Sequence, residues 1–240
     1  MKLLASVLGR VASASAVMPA GSLFARELRD LYNRAVRANK RCTVLNAESL
    51  LDIRWWLDAA SIHNGRCYLP HNHRRARTHF QLATDASGAY GAFWDPSSGR
   101  WAVFEFPKAV GETIANKELY AILVGIAACS DNWHAKRVRI WSDNTLACRA
   151  LTGRALREVA AFNAILRLIF TTSVRANFLI HSMWVSTAFN QIADALSRLK
   201  WQLFRSLAPE ANTKPVDLSK LNLPPHLRPV AVSVPTERLM

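Results

Sequence analysis

Acidic residues are scarce in this chain. Of 240 residues, 17 are Asp or Glu against 31 Lys or Arg, giving a formal net charge of +14 and a pI near 10.4. Such an excess points to a polyanionic partner; it bears on partners and solubility, not on fold. Cysteine is scarce as well. Cys42, Cys67, Cys129 and Cys148 form no C-x-x-C pair, which excludes the usual zinc spacings and a disulfide framework and makes a reducing compartment the expectation. Long apolar runs are missing, and none reaches the roughly 18 residues of a membrane span. Lys2 followed by Leu3 to Gly9 imitates a signal peptide, but Arg10 interrupts the stretch at the bottom of the usual length range. The expected location is therefore intracellular, in cytoplasm or nucleus, with no membrane partner. What is present in quantity is apolar: half of all residues, which excludes disorder throughout.

The charge is unevenly spread. Residues 1–79 carry 13 bases and five acids, residues 80–199 carry 12 and nine, and residues 200–240 carry six and three. The strongly basic front third reads as short amphipathic helices. Leu3, Leu4, Val7, Leu8 and Val11 share one helical face. Met18-Pro19-Ala20-Gly21 breaks the run. A second helix sets Leu28, Leu31 and Tyr32 against Arg26, Arg29, Arg34 and Arg37, and a third runs from Asn46 to Asn64-Gly65. Of the adjacent Trp55 and Trp56, one is expected to pack and the other to face solvent or a partner. Residues 71–79, with His71, His73 and His79 among arginines, read as a solvated basic link rather than a metal site, because the arginines repel a cation.

From Phe80 the texture changes. Phe80–Ala86, Ala89–Trp94 and Arg100–Phe106 are short apolar and aromatic runs separated by Ser87-Gly88 and Asp95–Gly99, a three-strand meander. Thr113–Ser130 has a long helical pattern, and Arg137–Ser142 reads as a strand. Helices follow after Asn144 and over 156–171, then a strand over 174–185 and a helix over 188–199. The order is βββαβααβα, a mixed α/β fold built on a five-stranded sheet with flanking helices. Six of the ten prolines fall after residue 206, so residues 200–240 are expected to form a Pro-rich tail, draped over the domain or disordered.

Four of the few acids occupy particular places in this pattern. Asp85 ends the first strand, Glu118 lies within the long helix, Asp143 ends the fourth strand, and Asp194 lies on the last helix. Each alone reads as structural; Asp143, for instance, suits a helix N-cap. Together they can meet, because the ends of neighbouring strands and the flanking helices converge in one region of a mixed sheet. Carboxylates gathered in a partly buried site repel and need compensation. Hard divalent cations supply it through oxygen ligands.

The residues also carry a resemblance. Thr84-Asp85-Ala86-Ser87 followed by Gly91-Ala92 resembles the first strands of an RNase H domain. Lys117–Ala121 (K-E-L-Y-A), Ser142-Asp143-Asn144 and Asn190–Arg198 (N-x-x-A-D-A-L-S-R) resemble the later blocks in the same order, and the last is similar to that of retrotransposon RNase H domains. The resemblance spans residues 80–199. Residues 3–31, Ile53–Leu57 and Phe204–Pro209 are similar to the flanks of that domain in DIRS-like retrotransposon reverse transcriptases. Domain 1–79 would then be a thumb or connection-like segment. No polymerase Y-x-D-D box occurs in the chain, so the resemblance implies a C-terminal piece of a larger reverse transcriptase, or a truncated or separately encoded relic.

By this resemblance, Asp85, Glu118, Asp143 and Asp194 bind two Mg²⁺ or Mn²⁺ ions and cleave the RNA strand of an RNA/DNA hybrid, leaving 5′-phosphate and 3′-hydroxyl. Shape and the 2′-hydroxyl would select RNA. Ser87, Asn144 and Asn190 are candidate nucleic-acid contacts beside the acids, with Asn190 also suited to positioning the last helix. Arg34, Arg37 and Arg41, with Lys40, suit phosphates. The polymerase domain of a parent enzyme is the other expected partner. Many RNase H domains place a His before the final Asp; here Val185–Phe189 has none, implying slower product release. His181 reads as a core or edge residue, and Trp133, Trp141 and Trp184 as core. A catalytically silent nucleic-acid-binding or connection module is the alternative. An integrase-like nuclease of the same fold is disfavoured by the Asn190–Arg198 block.

Overall fold

The computed structural model describes residues 1–18, 21–63, 80–152 and 160–234. The linker histidines His71, His73 and His79, the Asn64-Gly65 helix stop, Pro19-Ala20 and the expected helix start at 156 lie outside them. The chain divides into two compact units, one N-terminal and one containing the sheet.

Among its described residues the N-terminal unit holds the α-helices α1 (Lys2–Ser15), α2 (Arg26–Arg37) and α3 (Ala47–His63). Asn46 starts α3 by accepting the Ser49 N–H at 2.8 Å, the expected job of an Asn N-cap. Leu28, Leu31 and Ala35 turn the apolar stripe of α2 inward. Phe24 and Trp55 pack ring to ring at 4.1 Å, and Trp56 donates its indole N–H to the Phe24 carbonyl at 3.0 Å. Both adjacent tryptophans are therefore buried, contrary to the expectation that one would face outward. Consecutive helix residues point about 100° apart, and the segment around Phe24 is wrapped closely enough to receive both.

The second unit is an α/β structure on a mixed, open six-stranded sheet. The strands are β1 (Phe80–Ala86), β2 (Tyr90–Asp95), β3 (Arg100–Glu105), β4 (Arg137–Ser142), β5 (Leu179–Trp184) and β6 (Val230–Ala231), in the spatial order β5-β4-β1-β2-β3-β6. β1 pairs parallel with β4, and β4 with β5; the remaining pairs are antiparallel. The sixth strand corrects the expected five. Two residues are too short to leave a period-two pattern, and only their placement beside Phe104 and Glu105 makes them a strand.

Helix α4 (Ile114–Cys129) begins at Thr113, whose hydroxyl accepts the Asn116 N–H. It is apolar nearly all round, as a helix covered on both sides must be. It lies between the sheet and α6 (Ala160–Ala176). At Gly125 a Cβ would stand 2.9 Å from Leu82 and 3.1 Å from Phe93 Cβ. The missing side chain thus lets α4 approach β1 and β2 closely. α5 (Thr145–Leu151) follows β4. α6 runs to Ala176, so Val174 is helical and the strand begins later than its apolar pattern suggests.

Leu82 faces α4, so by alternation Ala83 and Asp85 face the other side of the sheet. That side is covered over β1–β3 by α7 (Gln191–Ser197) and α8 (Trp201–Leu207). Trp94, Trp101, Leu196, Trp201 and Phe204 form its core. The expected last helix over 188–199 is thus shorter. The Pro-rich stretch drapes rather than strays: Leu218, Leu221, Leu223 and Leu227 are buried. Leu227 accepts the Tyr120 hydroxyl at 2.8 Å, and Asn212 accepts the Trp101 indole at 2.7 Å.

Candidate metal centre

The parallel pairing of β1 with β4 sets Ala83 beside Trp141. Two residues further along each strand stand Asp85 and Asp143, at the C-terminal ends of neighbouring parallel strands. α4 crosses the same end and brings Glu118. One carboxylate oxygen from each of Asp85, Glu118 and Asp143 lies within 4.8 Å of the others. Asp85 and Glu118 are only 4% and 3% exposed. Asp143 is partly exposed, so the centre opens to solvent on its side.

Each acid is held by its surroundings. Glu118 accepts the Ala86 backbone N–H at 3.1 Å and the Ser142 hydroxyl at 3.4 Å. Asp85 accepts a hydrogen bond from the Ser197 hydroxyl of α7. Asp143 accepts the Thr187 hydroxyl at 2.7 Å, and its backbone carbonyl accepts the Trp184 indole at 2.8 Å. None of these partners carries a full positive charge. Burial first, then the neighbouring Asp85 and Asp143, push the Glu118 carboxyl up to about 9. Burial likewise raises Asp85 to about 6, with Ser197 opposing and Asp143 and Asp194 adding to the rise.

These observations test the fit of a cation. Three hard oxygen donors converge, two of them buried, and their ionised forms lack an adequate counter-charge. The trio can hold a divalent metal ion; an all-carboxylate donor set suits hard cations, not thiophilic ones.

The fourth expected ligand behaves differently. Asp194, on α7, is near enough to raise Asp85 but is not one of the converging trio. Arg198 donates to it at 2.6 Å, and the Lys200 ammonium lies 3.9 Å away. The Asp194–Arg198 spacing of four residues is the helical ion-pair spacing, a signal readable in the sequence.

The polar residues expected to touch nucleic acid already have partners. The Ser87 hydroxyl donates to the Ser197 carbonyl at 2.9 Å and accepts the Tyr90 N–H at 3.0 Å. Asn144, not Asp143, caps α5, accepting the Leu146 and Ala147 N–H groups at 3.0 Å each. This leaves the Asp143 carboxylate for the centre. Asn190 is buried and donates to the Thr84 carbonyl at 2.9 Å, tying the approach of α7 to β1. Arg34, Arg37 and Arg41 are exposed in the N-terminal unit.

Among the tryptophans, Trp133 is fully buried, whereas Trp184 is 54% exposed and Trp141 half-buried. The expectation that all three are core is corrected for Trp141 and Trp184, on whose sheet face no helix packs among the described residues. His181 is an exposed residue of the edge strand β5. Ser197, Ser142 and Thr187 were missed as supports of the acids. Ser197 lies inside the Asn190–Arg198 block; nothing in sequence spacing singles out Thr187. No family model matches the chain, and no curated protein matches it. Among the described residues, no helix is long and apolar enough to cross a membrane.

Proposed function

We propose that this chain is a metal-dependent endonuclease of the RNase H type, hydrolysing the RNA strand of RNA/DNA hybrids. The observation that carries the reading is the convergence of Asp85, Glu118 and Asp143 at the ends of parallel strands. It comes together with the ordered blocks around those residues and a mixed sheet compatible with that fold. The similarity to DIRS-like retrotransposon reverse transcriptases supports an origin in the RNase H part of such an enzyme, whose polymerase domain would be a partner.

Asp85, Glu118 and Asp143 would hold divalent ions, Mg²⁺ or Mn²⁺, with Asp194 completing the set by releasing Arg198. When bound, such ions activate a water and stabilise the leaving oxygen in phosphodiester hydrolysis. The chain's own residues supply the rest. Ser197, Ser142 and Thr187 fix the carboxylate orientations, and Ala86 N–H keeps one Glu118 oxygen aimed between the strands. Carboxylates held in this way need little rearrangement when charge arrives.

Purified protein with Mg²⁺ is expected to cut the RNA strand of a labelled hybrid and to spare the DNA strand. Asp85→Asn and Asp143→Asn should each reduce cutting to background. Undiminished cutting by either variant overturns the assignment. The second reading, a hybrid-binding module without cleavage, is favoured by one observation: Asp194 is already engaged by Arg198 and Lys200. Salt-sensitive hybrid binding with no cutting at any Mg²⁺ or Mn²⁺ concentration would support it.

A further inference from the structure

Ala193, Ala195, Leu196 and Ser197 turn one side of α7 into the core. Asp194 and Arg198, four residues apart, share another flank of the helix. Beyond Arg198 the chain reverses. Leu199 takes a φ of 56°, and the Leu199 and Lys200 N–H groups donate to the Leu196 and Ala195 carbonyls at 3.0 and 2.8 Å. This hydrogen-bond pattern usually sets glycine at the left-handed position, where a side chain is disfavoured. Here leucine holds it, packed against the core of Trp94, Trp101 and Phe204. The reversal returns Lys200 to the end of α7, its ammonium 3.9 Å from Asp194 Oδ2. Arg198 Nε donates to Asp194 Oδ1 at 2.6 Å. Each Asp194 oxygen thus faces its own cation.

The acid and its cations differ in exposure. The Arg198 and Lys200 side chains are each 53% exposed, that of Asp194 only 17%. The guanidinium is engaged through Nε, and its two terminal nitrogens have no hydrogen-bond partner among the described residues. Such nitrogens form the fork that matches a phosphate. The ion pair also belongs electrically to the metal centre. The charges of Asp85 and Asp143 reach Arg198, and that of Asp194 reaches Asp85. A divalent cation on the trio therefore repels the guanidinium and attracts the Asp194 carboxylate. Both effects oppose the ion pair. An anion on Arg198 opposes it from the other end.

We infer that Arg198 and Lys200 form a binding site for a backbone phosphate of the hybrid, which the Asp194 carboxylate occupies until metal and substrate arrive. The inference deepens the nuclease reading and rests on it for the identity of the anion. Breaking one ion pair serves both ligands: the metal gains Asp194, and the phosphate gains Arg198. Whichever binds first removes part of the cost of binding the second. The two affinities therefore rise together, and by the same factor in either order. With neither ligand bound, the acid and its two cations compensate one another.

The test uses the full chain and a short fluorescent hybrid whose RNA strand is 2′-O-methylated, so that it is not consumed. Mg²⁺ affinity is read from the thermal shift across a Mg²⁺ titration without nucleic acid. Hybrid affinity is read by anisotropy, in EDTA and in saturating Mg²⁺. Arg198→Gln is expected to move the two in opposite directions. Mg²⁺ alone should bind about fivefold tighter, because Asp194 is released, and the hybrid in Mg²⁺ about fivefold weaker, because a phosphate loses its donor. Lys200→Gln, whose ammonium stands further from the acid, should show the same signs at smaller size. In EDTA, Asp194→Asn frees the guanidinium. It should tighten the hybrid and steepen the log–log salt dependence by about 0.9, one phosphate contact. The double variant D194N/R198Q should lose that added steepness. Weakening of both ligands by Arg198→Gln would give the arginine a structural role and overturn the inference. So would unchanged affinities, or a salt slope that Asp194→Asn leaves as it was. Cutting of an unmodified hybrid is assayed separately with Mg²⁺. Cutting without the exchange keeps the nuclease reading and removes the phosphate site; the exchange without cutting does the reverse.

Discussion

The two halves of one sheet face differ in almost everything except geometry. Over β1–β3 the face is closed by α7 and α8 around Trp94, Trp101, Trp201 and Phe204. Trp101 sits 5.0 Å from the Phe204 ring and 6.1 Å from the Trp201 ring. Over β4–β5 the equivalent positions carry Arg137, Arg139 and Trp141, and among the described residues no helix packs on them. The candidate metal centre lies at the seam. Asp85 is buried under Ser197 of the closed half, while Asp143 is the partly exposed first residue beyond β4. The contrast shows what a seam provides: burial enough to perturb two carboxylates, and partial exposure of the third.

The largest effect in this comparison should come from the seam's own ionisation. A carboxyl raised by folding stabilises the fold fully below its unfolded value, near 4, and loses that contribution as pH rises through its folded value. For Asp85 that value is about 6 and for Glu118 about 9. The melting temperature of metal-free protein should therefore fall as pH rises from about 4 to about 9. Added Mg²⁺ should restore it at the alkaline end, because the cation offsets the ionised acids. Glu118→Gln should flatten the upper part of the fall. A melting temperature constant across the window would break the account of the seam.

Next come the two tryptophans that stand for the two halves. Trp101→Ala opens a large void under α8 and should cost about 3–5 kcal/mol, read by denaturant melts. Trp141→Ala removes a half-buried ring and its stacking on Arg139, and should cost about 1 kcal/mol or less. Equal losses would mean that the β4–β5 half is as closely packed as the other. An effect between these two is expected on the opposite face of the sheet. Gly125→Ala pushes α4 off Leu82 and Phe93 and should cost about 1–3 kcal/mol. Because α4 carries Glu118, the same variant should also weaken Mg²⁺ stabilisation in a thermal shift. Full retention of that shift would separate helix packing from the centre.

Much of the fold was legible along the chain. The meander around Ser87-Gly88 and Asp95–Gly99, the long apolar α4 and the strand at Arg137–Ser142 were each carried by local signals of turn chemistry and periodicity. The end of α6 was not, because Val174 is as apolar as a strand residue. β6 was not, because two residues hold no period. Three of the four expected ligands converge; the fourth, Asp194, is engaged by Arg198, which its i,i+4 spacing alone could have announced. The exposure of Trp184 was illegible for a different reason. A tryptophan in a strand reads as core wherever the strand lies in the sheet, and only strand order makes β5 an edge.

By itself the sequence determined which acids stand at strand ends and on helices, which strand faces are apolar, and that the chain is strongly basic. These are local properties, set by residue type and by periods of two and 3.6. Tertiary structure decided which acids meet, how deeply they are buried, which hydroxyls hold them, and which strands α7 and α8 cover. Those depend on parallel pairing of β1 with β4, on the close approach allowed at Gly125, and on α7 and α8 reaching only as far as β1. Contacts between residues more than a hundred positions apart, such as Ser197 with Asp85, leave no periodic trace in the chain that forms them.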